Sequence, residues 1–319
     1  MTVPYEKNAA IIVLPAVSGA RLQDAGLKSW LSRSSLQSSS QPKELLESVL
    51  AALNLPYPDE GLAALRMWGQ TGDRPTVWIA AADPVYLEPR LDHLCLHALD
   101  KDALPVSDHR LVFDHLQQTL ADEQKFGFAR IGNCGYLRSS VPMATAHSPA
   151  YVVDQCLPNE FMPSGEASGS YRNLLSEVEM SLHEHEVNVR RDAEGLPPIN
   201  SLWLWGGGFA PEQHTEPHPP LFADDPLLKG YWMSKTGVVQ PWPDSIAACL
   251  EASVAGFVAV PGFAANDIES VQRCLQELRT ALDSTRLSRL ILLFQDGLVA
   301  NVLRQHAWRF WRPLAPFFA

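Results

Sequence analysis

Apolar residues in this chain fall into two kinds of run. Short unbroken runs suit strands buried on both faces, and longer ones with a 3.6-residue period suit amphipathic helices. Ala9–Leu14 (AAIIVL), stopped by Pro15, is the first short run, and Thr76–Ala80, Gly237–Val239, Gly256–Val260 and Leu290–Phe294 are further strand candidates. A helix starting near Pro42 carries Leu45, Leu46, Val49, Leu50 and Leu53 on one stripe. Tyr171, Leu174, Leu175, Val178 and Leu182 form a second core-facing stripe, with Ser168 or Ser170 placed to cap it. A third helix over Asn266–Leu282 has Ile268, Val271, Leu275, Leu278 and Leu282 in phase, and Asn266 and Glu269 in capping-box spacing. Strand, helix, strand in that order predicts a right-handed crossover and a parallel sheet. Ser32–Gln41, rich in Ser and Gln, shows no period and reads as a surface loop.

Between Leu94 and Cys156 the pattern changes to a strand, a helix over Asp108–Asp122, and short alternating runs such as Phe126–Ile131 and Tyr151–Val153. This predicts a small α+β domain at residues 94–157, inserted into an α/β core made of residues 1–93 and 158–319. Pro158, Pro163 and Gly165 mark the return to the core.

Composition narrows the function classes. An apolar fraction of 46% with 19% charged residues is that of a globular chain. The formal net charge of -11 opposes binding to nucleic acid or to an anionic membrane surface. No apolar run reaches the roughly 20 residues of a membrane span, and the N-terminal residues do not read as a signal peptide. Cys95, Cys134, Cys156, Cys249 and Cys274 are widely spaced and odd in number, which predicts buried thiols in a reducing cytoplasm.

Candidate chemistry concentrates between Tyr171 and Gly208. Asn188 and Arg191 follow a helix, and the strand Asn200-Ser-Leu-Trp-Leu-Trp runs into Gly206, Gly207 and Gly208. An Arg fork beside bared backbone N–H groups would clamp an anion. Alternatively, Arg191 pairs with Glu184 or Glu186, Asn188 caps the helix, and the glycines permit a turn where two segments cross. Asp83 in Ala82-Asp83-Pro84-Val85 reads as a carboxylate at a strand's C-terminal end, where open α/β sheets bind ligands. His183 and His185, two apart on a helix, point about 200° from each other and cannot share a metal. His214 and His218 lie in a Pro-rich loop with no evident further ligand, and Ser18 reads as a turn residue rather than a nucleophile. The segment Trp308-Arg-Phe-Trp-Arg312 either packs on the chain's own sheet, meets a protein partner, or stacks on single-stranded nucleic acid, which the acidic charge disfavours.

The run Leu174-Leu-x-Glu177-x-x-Met180-x-Leu-His183, then Asn188-x-x-Arg191-x-x-x-Gly195-x-Pro197-x-x-Asn200-Ser-Leu-Trp-x-Trp-Gly-Gly-Gly208, resembles the bacterial RpfE-type regulatory protein family. That family is in turn similar to the archaeal-type cofactor-independent phosphoglycerate mutases. Ala82-Asp83-Pro84-Val85-Tyr86-Leu87 resembles the family's strand-end motif. The resemblance implies an alkaline-phosphatase-like α/β fold: a mostly parallel sheet flanked by helices, with the inserted α+β domain. It also implies Asn188, Arg191, Asn200, Gly206, Gly207, Gly208 and Asp83 as ligand-binding residues. The mutases' chemistry needs two divalent metals and a Ser nucleophile. Here Leu14-Pro15-Ala16-Val17 replaces their Asp-Gly, Phe294-Gln-Asp296-Gly297 is not followed by a His, and Trp205 stands where they carry an Arg. The expectation is a non-catalytic, mutase-like cytoplasmic protein with a binding or regulatory role and no cofactor or bound metal. Its partners would be a small phosphorylated or carboxylated ligand or a protein, without nucleic acid or membrane. The alternatives are a mutase or phosphatase using Mn or Zn on a set drawn from Asp83, His214, His218 and Asp296, and an interaction module built on the aromatic C-terminus.

Overall fold

The computed structural model describes residues 8–17, 22–39, 43–99, 104–122, 124–165, 167–253, 256–264 and 267–318. Ser18, Gln41, Pro42 and Asn266 lie outside them. The chain divides into two compact units, Met1–Tyr57 with Gln213–Ala319, and Pro58–Glu212. The expected insert at 94–157 therefore belongs to a larger body that begins before the second strand candidate.

The first unit is built on a seven-stranded sheet. Its chain order is β1 (Ala9–Leu14), α1 (Ala25–Ser32), β2 (Ser35–Ser38) and α2 (Leu45–Leu53), then, after the second unit, β8 (Leu221–Phe222), α7 (Pro226–Ser234), β9 (Val239–Gln240), α8 (Ile246–Ala252), β10 (Gly256–Ala259), α9 (Ile268–Asp283), β11 (Arg289–Phe294) and β12 (Leu298–Leu303). The strand order is β2-β12-β11-β1-β10-β8-β9. From β11 to β9 neighbours run parallel, while β12 and β2 add antiparallel edges. β1 is central, and all six of its residues are buried, as an unbroken apolar run in a two-sided sheet requires. Ala10, Ile12 and Leu14 join α1, α8 and α9 in one core through Leu27, Leu31, Ile246, Leu275 and Leu278. The α9 cap differs from the expectation: Asp267 accepts from Ser270 N at 3.1 Å. Ser35–Ser38 is not loop but the polar edge strand β2, paired to β12.

The second unit contains α3 (Leu62–Thr71), β3 (Trp78–Pro89), β4 (Leu94–Ala98), α4 (Val106–Thr119), β5 (Phe126–Ile131), β6 (Cys134–Ser139), α5 (Ala167–Leu182), α6 (Glu186–Ala193) and β7 (Ser201–Gly208). Among the described residues its named strands all pair antiparallel, and Ala146 adds an isolated parallel bridge to Trp205 of β7. The 12-residue β3 organises it: β6 pairs with Trp78–Ala81 and β4 with Val85–Pro89, while β7 pairs with Ile79–Val85 from the other edge. Thr76–Ala80 thus contributes to this antiparallel sheet rather than to the parallel one. An apolar run looks alike in both, because burial on two faces sets the composition, not strand direction. Ala80 and Ala82 face a core shared with α4 and α5, including Phe113, Tyr171, Leu175 and Val178. Tyr151–Val153 is not a strand; Ala150–Val152 forms a single 3-10 turn. No helix among the described residues is long and apolar enough to cross a membrane.

Candidate functional site

Asp83 does not end a strand. It sits in the middle of β3, opposite Trp203 of β7, and is buried. Its carboxylate accepts from Arg66 Nη1 at 2.9 Å and from Trp205 Nε1 at 2.6 Å. Arg66 projects from α3, donates also to Gly135 O at 2.8 Å and to Tyr136 Oη at 3.2 Å, and lies over both the Tyr136 ring (4.7 Å) and the Trp205 ring (5.3 Å). Tyr136 in turn donates to Gln70 Oε1. Burial alone would favour the neutral guanidine, but the Asp83 carboxylate reverses this and holds Arg66 above its ordinary pKa. Burial likewise pushes the Tyr136 phenol up. The result is a paired ion, flanked by aromatic faces, whose donors and acceptors point at one another.

Arg66 was not singled out in the sequence, though a signal was there. A lone cation in Leu62-Ala-Ala-Leu-Arg-Met-Trp68, a helix otherwise apolar around it, requires a buried partner. Trp205 offers Asp83 an indole N–H, and α3 supplies the cation.

Asn188 and Arg191 occupy a short helix of their own, α6. Asn188 Nδ2 donates to Leu182 O (2.8 Å) and Ile199 O (2.9 Å), and its Oδ1 accepts from Ile199 N (2.8 Å). One side chain thus ties the end of α5 to the approach to β7. Arg191 Nε donates to Pro197 O at 2.8 Å, and its Nη1 lies 3.8 Å from Asp108, which also receives Arg190. The acid beside Arg191 is Asp108, not Glu184 or Glu186. Asn200 extends the β3–β7 ladder by one side chain: Oδ1 accepts from Leu87 N at 2.7 Å and Nδ2 donates to Leu87 O at 2.9 Å.

The glycines mark a crossing. Gly206 N donates to Ala146 O (2.8 Å), Gly207 N to Thr145 Oγ1 (3.0 Å), and Gly207 O accepts from Gly61 N (3.1 Å). A Cβ on Gly207 would stand 2.4 Å from the Trp78 ring, and one on Gly208 would stand 2.4 Å from Gly61 N. The start of α3 passes directly over them, so the glycines make room for backbone of this chain rather than baring donors to an anion.

The remaining candidates are separate. α5 ends at Leu182, and His185 caps α6 by accepting from Val187 N at 3.3 Å. In the first unit Lys235 Nζ lies 2.8 Å from His214 Nε2, His218 Nδ1 bonds Glu216 O at 3.0 Å, and Asp296 accepts from Val17 N and Leu298 N. Among the described residues these do not form a close donor cluster. A hollow of about 290 Å³ in this unit lies between α8 and α9, lined by Ile246, Leu250, Arg273, Gln276 and Glu277.

No family model matches the chain. It is 40% identical over 53 residues to the 2,3-bisphosphoglycerate-independent phosphoglycerate mutase of Methanosarcina barkeri, a stretch that is 17% of this chain and 13% of the mutase. It is 32% identical over 82 residues to the mutase of Methanothrix thermoacetophila, covering 26% and 19% of the two chains. A probable mutase of Geobacter sulfurreducens is 40% identical over 52 residues, 16% of this chain and 13% of its own. The matched stretches span less than a fifth of the length of these relatives. Among solved structures, the cofactor-independent phosphoglycerate mutase of Thermoplasma acidophilum aligns with 93% of this chain and 89% of its own at 17% identity and a TM-score of 0.42. The PH0037 protein of Pyrococcus horikoshii aligns with 93% and 87% at 13% identity and a TM-score of 0.49.

Proposed function

We propose that this chain is a non-catalytic relative of the phosphoglycerate mutases, a cytoplasmic protein of RpfE type that keeps part of a mutase-like scaffold for binding or regulation. The observation that carries the reading is the use of the motif residues. Asp83 is held by Arg66 and Trp205, and Asn188, Arg191 and Asn200 are bonded to backbone of their own unit. Side chains engaged in this way preserve shape; a phosphoryl clamp needs donors free to meet its substrate. The local similarity to mutases supports common ancestry of the matched stretch, and the five free cysteines fit a reducing compartment.

The test is a phosphoglycerate mutase assay with saturating Mn²⁺ or Zn²⁺, alongside calorimetric titration with phosphoglycerate. The expected outcome is no turnover above a protein-free control. Turnover with stoichiometric metal would overturn the reading and favour a rearranged ligand set.

A second observation favours a protein partner. Trp308, Phe310 and Trp311 are 70–76% exposed. The same segment is fastened from beneath, with Arg309 and Arg312 donating to the carbonyls of Arg33 and Ser34 and Phe318 buried in the core. Large aromatic side chains held outward on a fixed strap are the composition of binding hot spots. Joint replacement of the three aromatics by Ala is expected to leave the melting temperature unchanged and to abolish capture of any partner retained by the wild type.

A further inference from the structure

The β3–β4 hairpin brings three different metal-binding side chains to one face. Its antiparallel register sets Glu88 opposite Cys95 and Tyr86 opposite His97. Directly opposed residues share a face, as do residues two apart along a strand. One ligand atom each from Glu88, Cys95 and His97 accordingly lies within 4.8 Å of the other two. We propose that Glu88, Cys95 and His97 form a binding site for a divalent transition-metal ion of the zinc type, with the remaining coordination position open to water or a small ligand.

The donor set decides the metal class. A thiolate with an imidazole and a carboxylate suits zinc and its neighbours, whereas magnesium and calcium take oxygen alone. Zinc bonds of about 2.0–2.3 Å place tetrahedral donors roughly 3.3–3.8 Å apart. Closing from the observed spacing is a matter of side-chain rotation on two paired strands. Cys95 is buried, while Glu88 and His97 are about one-third exposed, so a path for the ion exists beside a sheltered sulfur. The His97 ring stacks on Tyr86 with centroids 5.7 Å apart and planes 22° apart, which fixes its direction. His97 Nε2 and Glu88 Oε2 are 2.8 Å apart, and Arg90 Nη2 is 3.0 Å from the same oxygen. The ion would take the place of these partners. Arg90 is half exposed and can turn into solvent.

None of the three residues belongs to the mutase-like run, and the site does not depend on the functional reading given above. It is tested on the full chain, stripped with chelator and titrated with Co²⁺ as a spectroscopic substitute for Zn²⁺. One equivalent is expected to bind with a near-ultraviolet thiolate-to-cobalt band that zinc displaces. Cys95→Ser removes the band, and Cys156→Ser leaves it. His97→Gln and Glu88→Gln each weaken binding by more than about tenfold, and Arg90→Gln tightens it. Both Gln variants alter partly exposed side chains, so they carry the test even where Cys95→Ser fails to fold; apo melting curves confirm their integrity. Absence of the thiolate band in excess cobalt overturns the proposal. So does unchanged affinity in either Gln variant, or a band that survives Cys95→Ser but not Cys156→Ser.

Discussion

Arg66 is a charge that its surroundings cannot release. With Asp83 as its buried counter-ion, removing one partner leaves the other uncompensated, so Arg66→Met is expected to cost about 3–5 kcal/mol in urea unfolding. The double variant Arg66→Met with Asp83→Leu should recover part of that loss, because no orphan charge remains. Asn188→Ala removes three buried hydrogen bonds and strands the backbone groups of Ile199, for a loss of about 2–4 kcal/mol. Acid sensitivity is expected from His218, whose ring lies against Tyr231 and Trp232. Burial lowers its pKa from 6.5, with Lys235 and His214 acting in the same direction and Glu216 opposing. The unfolded chain then binds the proton that the folded chain refuses, so stability falls as pH drops below about 6.5 toward the lowered folded value. The melting temperature of the wild type should fall relative to that of His218→Phe as the pH is lowered across that interval, since the variant lacks the titrating ring.

At the scale of elements, the crossing of α3 over the end of β7 has a cost that separates two effects of glycine. Gly195 has φ of +70° with open space around it, so Gly195→Ala meets backbone strain alone, about 1 kcal/mol. Gly207→Ala drives a methyl into the Trp78 ring and should cost more, about 3 kcal/mol or above, measured by the same denaturant melts. β1, β10, β11, α5 and α9 were legible because continuous burial and the helical period are written directly into composition. β2 was not, since Ser35-Leu-Gln-Ser38 is polar and acquires strand form only by pairing with β12. Thr76–Ala80 reads as a strand of the α/β core but belongs to the antiparallel sheet, because two of the three neighbours of β3, β6 and β7, lie more than 40 residues away. The candidate site shows the same limit. Asn188, Arg191, Asn200 and the glycines were recognisable as a group, yet the partners that Asn200 and the glycines take, Leu87 and Gly61, lie more than 100 residues away, where no local pattern connects them.

For the whole molecule, the two bodies differ in how they close. In the second, Gly61 near its start bonds Gly207 near its end, so the chain enters and leaves at one place. Residues 58–212 expressed alone are therefore expected to melt cooperatively with a helix and sheet circular dichroism spectrum; a non-cooperative melt would count against their independence. The first body ends its sheet differently. One border is the four-residue polar β2 and the other the two-residue β9. A border so short, or so hydrophilic, gives a foreign extended peptide almost no ladder to continue. Fibre-like growth by strand addition is thereby discouraged at both sides of this sheet, and copies of this body that meet in a crowded solution meet through surfaces other than a strand edge.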